Sequence, residues 1–224
     1  MSASQAAPKV AVVLSGCGVY DGAEIHEAVL TLLALSRQGA TVQCFAPDVA
    51  QHHVINHLTG QPDDGANRNV LVESARIARG RIAPLGDYQA ADFDAIVFPG
   101  GFGAAKNLCS FAFDGPDCAV NPDIEQAIRT THAAGKPIGA LCIAPALITR
   151  VLKSVTVTIG SDSGTAEAIA AMGGTHTATT HGEVVIDAAN KIATTPCYML
   201  DATISQIADG AEAVVRAVLS LARQ

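Results

Sequence analysis

The run Lys9-Val-Ala-Val-Val-Leu-Ser15 is almost continuously apolar and stops at glycines, the pattern of a short strand buried on both faces. Behind it, Ile25, Ala28, Val29, Leu32 and Leu33 recur at helical spacing, which predicts a helix over 22–38 stopped by Gly39. The same reading predicts strands over 41–46, 93–98 and 136–141, with later strands at 155–159 and 184–187. Helices are expected over 70–78, 122–134 and 144–149. A long terminal helix over 200–221 carries Leu200, Ile204, Ile207, Ala211, Val214 and Val218 on one stripe, which is assigned to the core. Buried strands alternating with helices mean an α/β fold: an open, mostly parallel sheet with helices on both faces. Residues 51–68, with Gly60, Pro62, Asp63, Asp64 and Gly65, form the longest irregular stretch, a loop placed beside any site at the strands' carboxyl ends.

Composition narrows the function classes. With 49% hydrophobic and 16% charged residues the 224-residue chain builds a real core and is not disordered. No stretch approaches the roughly 18 consecutive apolar residues of a membrane span. A net charge of −7 without a basic cluster argues against nucleic acid as a partner. Nothing divides the chain, so residues 1–224 are read as one domain, with 1–8 a flexible tail. Met1 to Lys9 lacks a signal-peptide core and an arginine-rich presequence, which points to the cytoplasm. There, Cys17, Cys44, Cys109, Cys118, Cys142 and Cys197 are expected as separate thiols, and no CxxC pair suggests zinc.

Ligands of such sheets bind at the strand-to-helix turns. The first turn, Ser15-Gly-Cys-Gly-Val-Tyr-Asp-Gly-Ala-Glu24, resembles a dinucleotide fingerprint. Its third glycine comes one residue late, however, and Asp21 and Glu24 crowd a helix start that a pyrophosphate needs free of carboxylates. Glu24 has two readings. It completes a capping box with Asp21 as N-cap, or it borders a buried face with Ala28, Leu32 and Leu35, where lost hydration raises its pKa. In Pro99-Gly-Gly-Phe-Gly-Ala-Ala-Lys-Asn-Leu108, consecutive glycines turn the chain sharply and can aim N–H groups at a ligand.

The fourth turn carries the sharpest signal. Cys142 stands between a buried strand and a helix, with Ala140 and Ala144 two residues to either side, the pattern of a nucleophile elbow. Pro145 suits the first helical turn. A helix N-terminus favours the thiolate and is expected to lower its pKa from about 8.5 toward roughly 5–7. His53 and His57, spaced i,i+4, lack an acidic partner and are read as polar loop residues; the metal set is empty. His181 with Glu183 is placed in a solvated turn, and His132 and His176 at the surface or at helix ends.

The segments Gly22-Ala-Glu-Ile-His-Glu27, Pro99 to Leu108 and Gly139-Ala-Leu-Cys-Ile-Ala-Pro145 resemble the superfamily of the Parkinsonism-associated deglycase and PfpI proteases, a class I glutamine amidotransferase-like group. Leu14-Ser-Gly-Cys-Gly-Val-Tyr-Asp-Gly22, Val54-Ile-Asn-His-Leu-Thr-Gly60 and Thr194-Thr-Pro196 are similar to its ElbB subfamily, named for enhancing lycopene biosynthesis. The resemblance implies a flavodoxin-like three-layer sandwich, a homodimer, no cofactor, and a catalytic pair of Cys142 and Glu24. It puts the oxyanion-stabilising N–H groups at Gly101 and at Ile143 or Cys142. Gly100, Asn107 and Cys17 are the candidate pocket residues. Several relatives have a histidine soon after the elbow helix; residues 155–165 have none, so a Cys–His–acid triad would need His176 or His181.

The resulting expectation is a glutathione-independent glyoxalase turning glyoxal into glycolate, a small neutral substrate that needs no electrostatic steering. The alternatives are a deglycase of proteins or nucleotides, and a thiol redox sensor or chaperone-like binding protein.

Overall fold

The computed structural model describes residues 6–224; most of the expected tail, residues 1–5, lies outside them. Strand β1 (Lys9–Val13) is the centre of the molecule. Its side chains alternate, so Val10 and Val12 face one helix layer and Ala11 and Val13 the other. Parallel neighbours flank it, β2 (Thr41–Ala46) on one side and β6 (Ala95–Phe98) on the other. Beyond β2 lies β5 (Ile82–Pro84). Beyond β6 come β7 (Ile138–Leu141), β11 (Ile192–Thr195) and an antiparallel edge strand, β10 (Val185–Asp187).

The order β10-β11-β7-β6-β1-β2-β5 contains the doubly wound sequence of a flavodoxin-like sheet, in which the winding reverses between β1 and β6. One face is covered by α1 (Ile25–Arg37) and α8 (Ile204–Leu221), which bury Ala28, Leu35, Ile207, Ala211, Val214 and Val218. The other is covered by α5 (Pro122–Ala133) and α6 (Ala144–Leu152), with Ile124, Ile128, Leu147, Ile148 and Val151 packed on Ile96, Phe98 and Ile138. The expected three-layer α/β architecture is the one found. No helix among the described residues is long and apolar enough to cross a membrane.

The differences from the sequence reading are local. The first helix begins at Ile25 and not at Gly22, because Asp21 accepts the Ile55 N–H at 2.7 Å across the chain and caps nothing. The segment expected as a main-sheet strand at 155–159 shrinks to β8 (Thr156–Val157), which pairs with β9 (Thr175–His176) in a separate two-stranded sheet. Residues 51–68 hold a small antiparallel pair, β3 (Ile55–Asn56) and β4 (Gln61–Pro62). The helix α2 (Val70–Ile77) follows, one residue shorter than expected. Short helices α3 (Phe102–Lys106) and α4 (Phe111–Asp114) follow the glycine turn, and α7 (Ser163–Ala171), capped by Asp162, is a helix that the sequence reading did not give. The terminal helix starts at Ile204, behind a Thr203–Gln206 capping box, and Ile204 itself is exposed.

Candidate active site

Three turns converge at the carboxyl ends of β1, β6 and β7, beside the point where the winding reverses. Cys142 closes β7 with φ +60°, a left-handed conformation that costs a non-glycine residue about 1–3 kcal/mol. The neighbouring structure enforces it: the Cys142 N–H donates to the Thr195 carbonyl at 3.0 Å, and buried Ala140 and Ala144 let the chain turn tightly into α6. Pro145 sits in the first turn of that helix, as expected. The Cys142 N–H is therefore occupied, and of the two alternatives for the oxyanion donor only Ile143 stays available.

The carboxylate that meets the sulfur is Glu27. The pairing expected of Glu24 is corrected here. Glu24 is the N-cap of α1, and its Oε2 accepts the Glu27 N–H at 2.7 Å. One turn further on, Glu27 is fully buried and hydrogen-bonded to the Cys142 thiol. Its Oε2 accepts the Gly100 N–H at 3.0 Å and its Oε1 the Tyr198 N–H at 3.2 Å. Glu24 still lines the cavity in front of the sulfur, as part of its wall.

Burial pushes Glu27 up to about 8, with the Glu24 charge adding to the effect; the Tyr198, Cys142 and Gly100 donors oppose it. Burial and the Glu27 charge also push the Cys142 thiol well above its ordinary value, the reverse of the depression expected from the helix N-terminus. The N–H groups of Gly101 and Ile143 reach the sulfur and favour its anion, but they do not outweigh desolvation. Two anions cannot coexist here, so the pair sheds one proton near 8 and holds the other far more tightly. Between those steps a single proton is shared by sulfur and carboxyl.

Gly100 makes this proximity possible. A Cβ there would lie 2.4 Å from the Cys142 Cβ and 2.7 Å from the Glu27 Oε2. Gly101, at φ +95°, packs against the first turn, where a Cβ would meet the Glu24 nitrogen at 2.3 Å. The Glu24 N–H donates to the Gly100 carbonyl at 2.9 Å, joining the two turns directly.

A cavity of about 560 Å³ opens over the sulfur. Its walls come from the first turn (Val19, Glu24), the glycine turn (Gly101, Phe102), α4 (Phe111, Ala112), the elbow (Cys142, Ile143) and the segment after β11 (Tyr198, Met199). Asp162 and Thr165 at the start of α7 complete it. The Tyr198 hydroxyl lies 2.8 Å from His26 Nδ1.

Two candidate pocket residues are placed elsewhere. Asn107 is a brace: its Nδ2 donates to the Ser15 and Asp21 carbonyls at 2.9 and 3.0 Å, and its Oδ1 accepts the His52 N–H. Cys17 is half-buried among the charges of Glu73, Arg76, Asp21 and Arg68, off the cavity wall, and burial raises its pKa. No histidine lines the cavity among the described residues. His181 Nε2 pairs with the Asp201 carbonyl at 3.0 Å, and His176 Nε2 accepts the Ile159 N–H at 3.3 Å. His57 stacks on Tyr20 with ring centroids 4.9 Å apart. Among the described residues no three His, Cys, Asp or Glu side chains gather as a metal-holding group.

Glu27, Tyr198 and Asp162 are the site residues that the sequence reading missed. The signal for Glu27 was present, because Glu27, Thr31 and Ala34 form one buried row at helical spacing.

No family model matches the chain. It is 54% identical over 230 residues to glutamine amidotransferase-like class 1 domain-containing protein 3, mitochondrial, of Homo sapiens, covering 99% of this chain and 86% of that protein. It is 51% identical over 229 residues to the ES1 protein homolog, mitochondrial, of Rattus norvegicus, covering 98% and 86%. Both names state a compartment other than the cytoplasm expected from the sequence. The crystal structure of an isoprenoid biosynthesis protein with amidotransferase-like domain from Ehrlichia chaffeensis superposes with a TM-score of 0.90 at 39% identity, over 96% of this chain and 99% of that one. Glyoxalase III of Candida albicans (TM-score 0.62, 14% identity, 96% and 97% covered) and DJ-1beta of Drosophila melanogaster (0.53, 17%, 97% and 96%) share the fold alone. With its elbow cysteine, buried glutamate and reversing sheet, and with relatives of this similarity, the chain belongs to the class I glutamine amidotransferase-like family, whose fold the DJ-1 and ThiJ/PfpI proteins share.

Proposed function

We propose that this protein is a cofactor-independent, glutathione-independent glyoxalase of the ElbB type, with Cys142 as nucleophile and Glu27 as the proton-transfer group. The observation that carries the reading is the buried Cys142–Glu27 pair under a cavity of about 560 Å³, with the Gly101 and Ile143 N–H groups directed at the sulfur. In the singly ionised pair sulfur and carboxyl share one proton, and Glu27 takes it from the sulfur as Cys142 attacks. The sulfur adds to one aldehyde of glyoxal and Glu27 passes the proton on to the new alkoxide, giving a hemithioacetal whose oxygen the two N–H groups stabilise and leaving Glu27 as a carboxylate. Glu27 then moves a proton from the sulfur-bearing carbon to the neighbouring one through an enediol, giving a thioester. Water hydrolyses the thioester, so glyoxal and water become glycolate with no net redox change. One acid/base group beside one thiolate suffices, which suits a cavity without an imidazole on its wall. Glyoxalase III of Candida albicans shows by its name that this fold hosts such chemistry. The reaction needs Cys142 as a reduced thiol.

We place the homodimer expected from the resemblance on the outer face of α1, where Ile25, Val29 and Leu33 form an exposed apolar row. Light scattering of Val29→Glu against the parent chain tests it.

The test of the reaction is glycolate formation from glyoxal, measured directly by chromatography, in the parent chain and in Cys142→Ser. The proposal requires turnover in the parent and a loss of at least about a thousandfold in the variant. Equal rates would overturn it. A parent that is inert on glyoxal but releases sugar from glycated peptide would assign the site to deglycation.

A further inference from the structure

The main cavity does not use Cys109 and Cys118, yet the fold brings them together. Cys109 pairs with Val120 in an isolated antiparallel bridge, and the Ser110 N–H donates to the Ala119 carbonyl at 2.9 Å in the same ladder. Residues two apart on one strand share a face, so Cys118 lies on the side of the ladder that carries Cys109 and Val120. Both thiols lie in one buried cluster, inside the core layer beneath α5 and α6. Both are free.

Their surroundings differ. Cys109 is a buried donor, with its Sγ 3.3 Å from the Ala104 carbonyl. Cys118 forms part of the wall of a second cavity, of about 420 Å³, together with Glu125, Arg129, Arg150 and Lys153. Three cations against one carboxylate give this cavity a positive interior. Arg150 is fixed there, its Nε donating to the Cys118 carbonyl at 2.7 Å. The acidic group nearby is Asp114, whose charge opposes ionisation of Cys118.

We infer that Cys109 and Cys118 form a redox-active dithiol, with Cys118 as the thiol attacked by a hydroperoxide from the cationic cavity and Cys109 as the resolving thiol. The Cys109 donor and the Arg150 charge bring Cys118 down to about 7, whereas Cys109 is pushed up and stays protonated. In the first step the Cys118 thiolate attacks the peroxide oxygen. The O–O bond breaks, sulfur is oxidised to sulfenic acid, and the peroxide is reduced to water or an alcohol. In the second step the Cys109 sulfur displaces the sulfenic hydroxyl, which leaves as water with the Cys109 proton, and a disulfide forms. Two thiols and one hydroperoxide thus give one disulfide, one water and a second water or alcohol. The loop so closed carries Phe111 and Ala112, which belong to the wall of the Cys142 cavity, so the disulfide fixes part of that wall.

The experiment is hydrogen peroxide oxidation of the fully reduced chain, run in parallel in a Cys142→Ser background, followed by alkylation and non-reducing peptide mapping. The expected product is a cross-linked peptide pair holding Cys109 and Cys118, with an intact mass lower by two hydrogens. In Cys109→Ser the cross-link is absent and dimedone traps a sulfenic acid on Cys118. In Cys118→Ser dimedone labelling of Cys109 is at least about tenfold slower than labelling of Cys118 in the converse variant. Mapping of the parent chain needs no variant to fold. If Cys109 and Cys118 stay alkylatable after peroxide has oxidised Cys142 in the parent chain, or Cys118 is found bridged to another cysteine, the inference is overturned.

Discussion

Helix α6 has a buried thiol at each end, and the two are tuned in opposite directions. Cys142 precedes its first turn, where the Ile143 N–H and the helix N-terminus favour an anion. Cys118 lies against Arg150 in its last turn. From the helix dipole alone, Cys142 would be the more acidic of the two. The order is the reverse: burial and Glu27 push Cys142 up, while the Cys109 donor and Arg150 bring Cys118 down. A full neighbouring charge and the loss of water outweigh a half-charge spread over a helix end. Cys142 is thereby made dependent on a partner that takes its proton, as proton-transfer chemistry at carbon requires.

The comparison can be broken at several points. The largest effect is expected for Glu27→Gln, which removes the proton acceptor while keeping the shape. Glyoxal turnover at pH 8 should fall by about 10²–10⁴-fold, as a steady-state assay will show. Next is Gly100→Ala, whose new methyl would sit 2.4 Å from the Cys142 Cβ. Cys142 and Glu27 must then part, and thermal unfolding should show a loss of about 1–3 kcal/mol alongside most of the activity.

A third prediction follows from linkage. Glu27 ionises at about 8 in the folded chain against an ordinary 4.5, so the folded state binds that proton more tightly. Its contribution to stability is fully present below 4.5 and is lost as the pH rises through about 8. Denaturant unfolding should therefore show a fall in stability between pH 4.5 and 8 that is absent from Glu27→Gln. Smaller again is Arg150→Met, which should slow alkylation of Cys118 at pH 7 about threefold to tenfold and leave Cys142 unaffected. The smallest is Glu24→Gln. Its amide oxygen can still accept the Glu27 N–H, so stability should change by less than about 1 kcal/mol and turnover by only a few-fold.

How far the site could be read in the sequence follows from the same geometry. Val10 to Leu14, the glycines at 100 and 101, and Cys142 between two alanines each sit where local pattern and tertiary position coincide, so the fold and the elbow at Cys142 were legible. Strand β11 was not, because Ile192-Ala-Thr-Thr195 is too short and too polar to read as an apolar run, though it lies fully buried beside β7. Glu24 was paired with Cys142 by the resemblance, and with α1 started at Gly22 nothing in the helix pattern moved the buried carboxyl elsewhere. With Asp21 drawn away to the Ile55 N–H, Glu24 becomes the cap and the buried carboxyl moves one turn on. Asn107 looked like a pocket residue because it follows the glycine turn; only the folded chain shows it spanning to Ser15, Asp21 and His52. The pairing of Cys109 with Cys118 depends on a ladder around α4 that no periodicity announces.

The most direct test of the central claim, that Cys142 shares its proton with Glu27, is the pH dependence of Cys142 alkylation. It is read by mass spectrometry in the parent chain, Glu27→Gln and Glu24→Gln. The parent should rise through a midpoint near 8, and Glu24→Gln somewhat below it, because the Glu24 charge helps to hold Glu27 up. In Glu27→Gln the rise should move well above that, since the buried thiol must then ionise alone. A profile in which Glu27→Gln matches the parent would contradict the account.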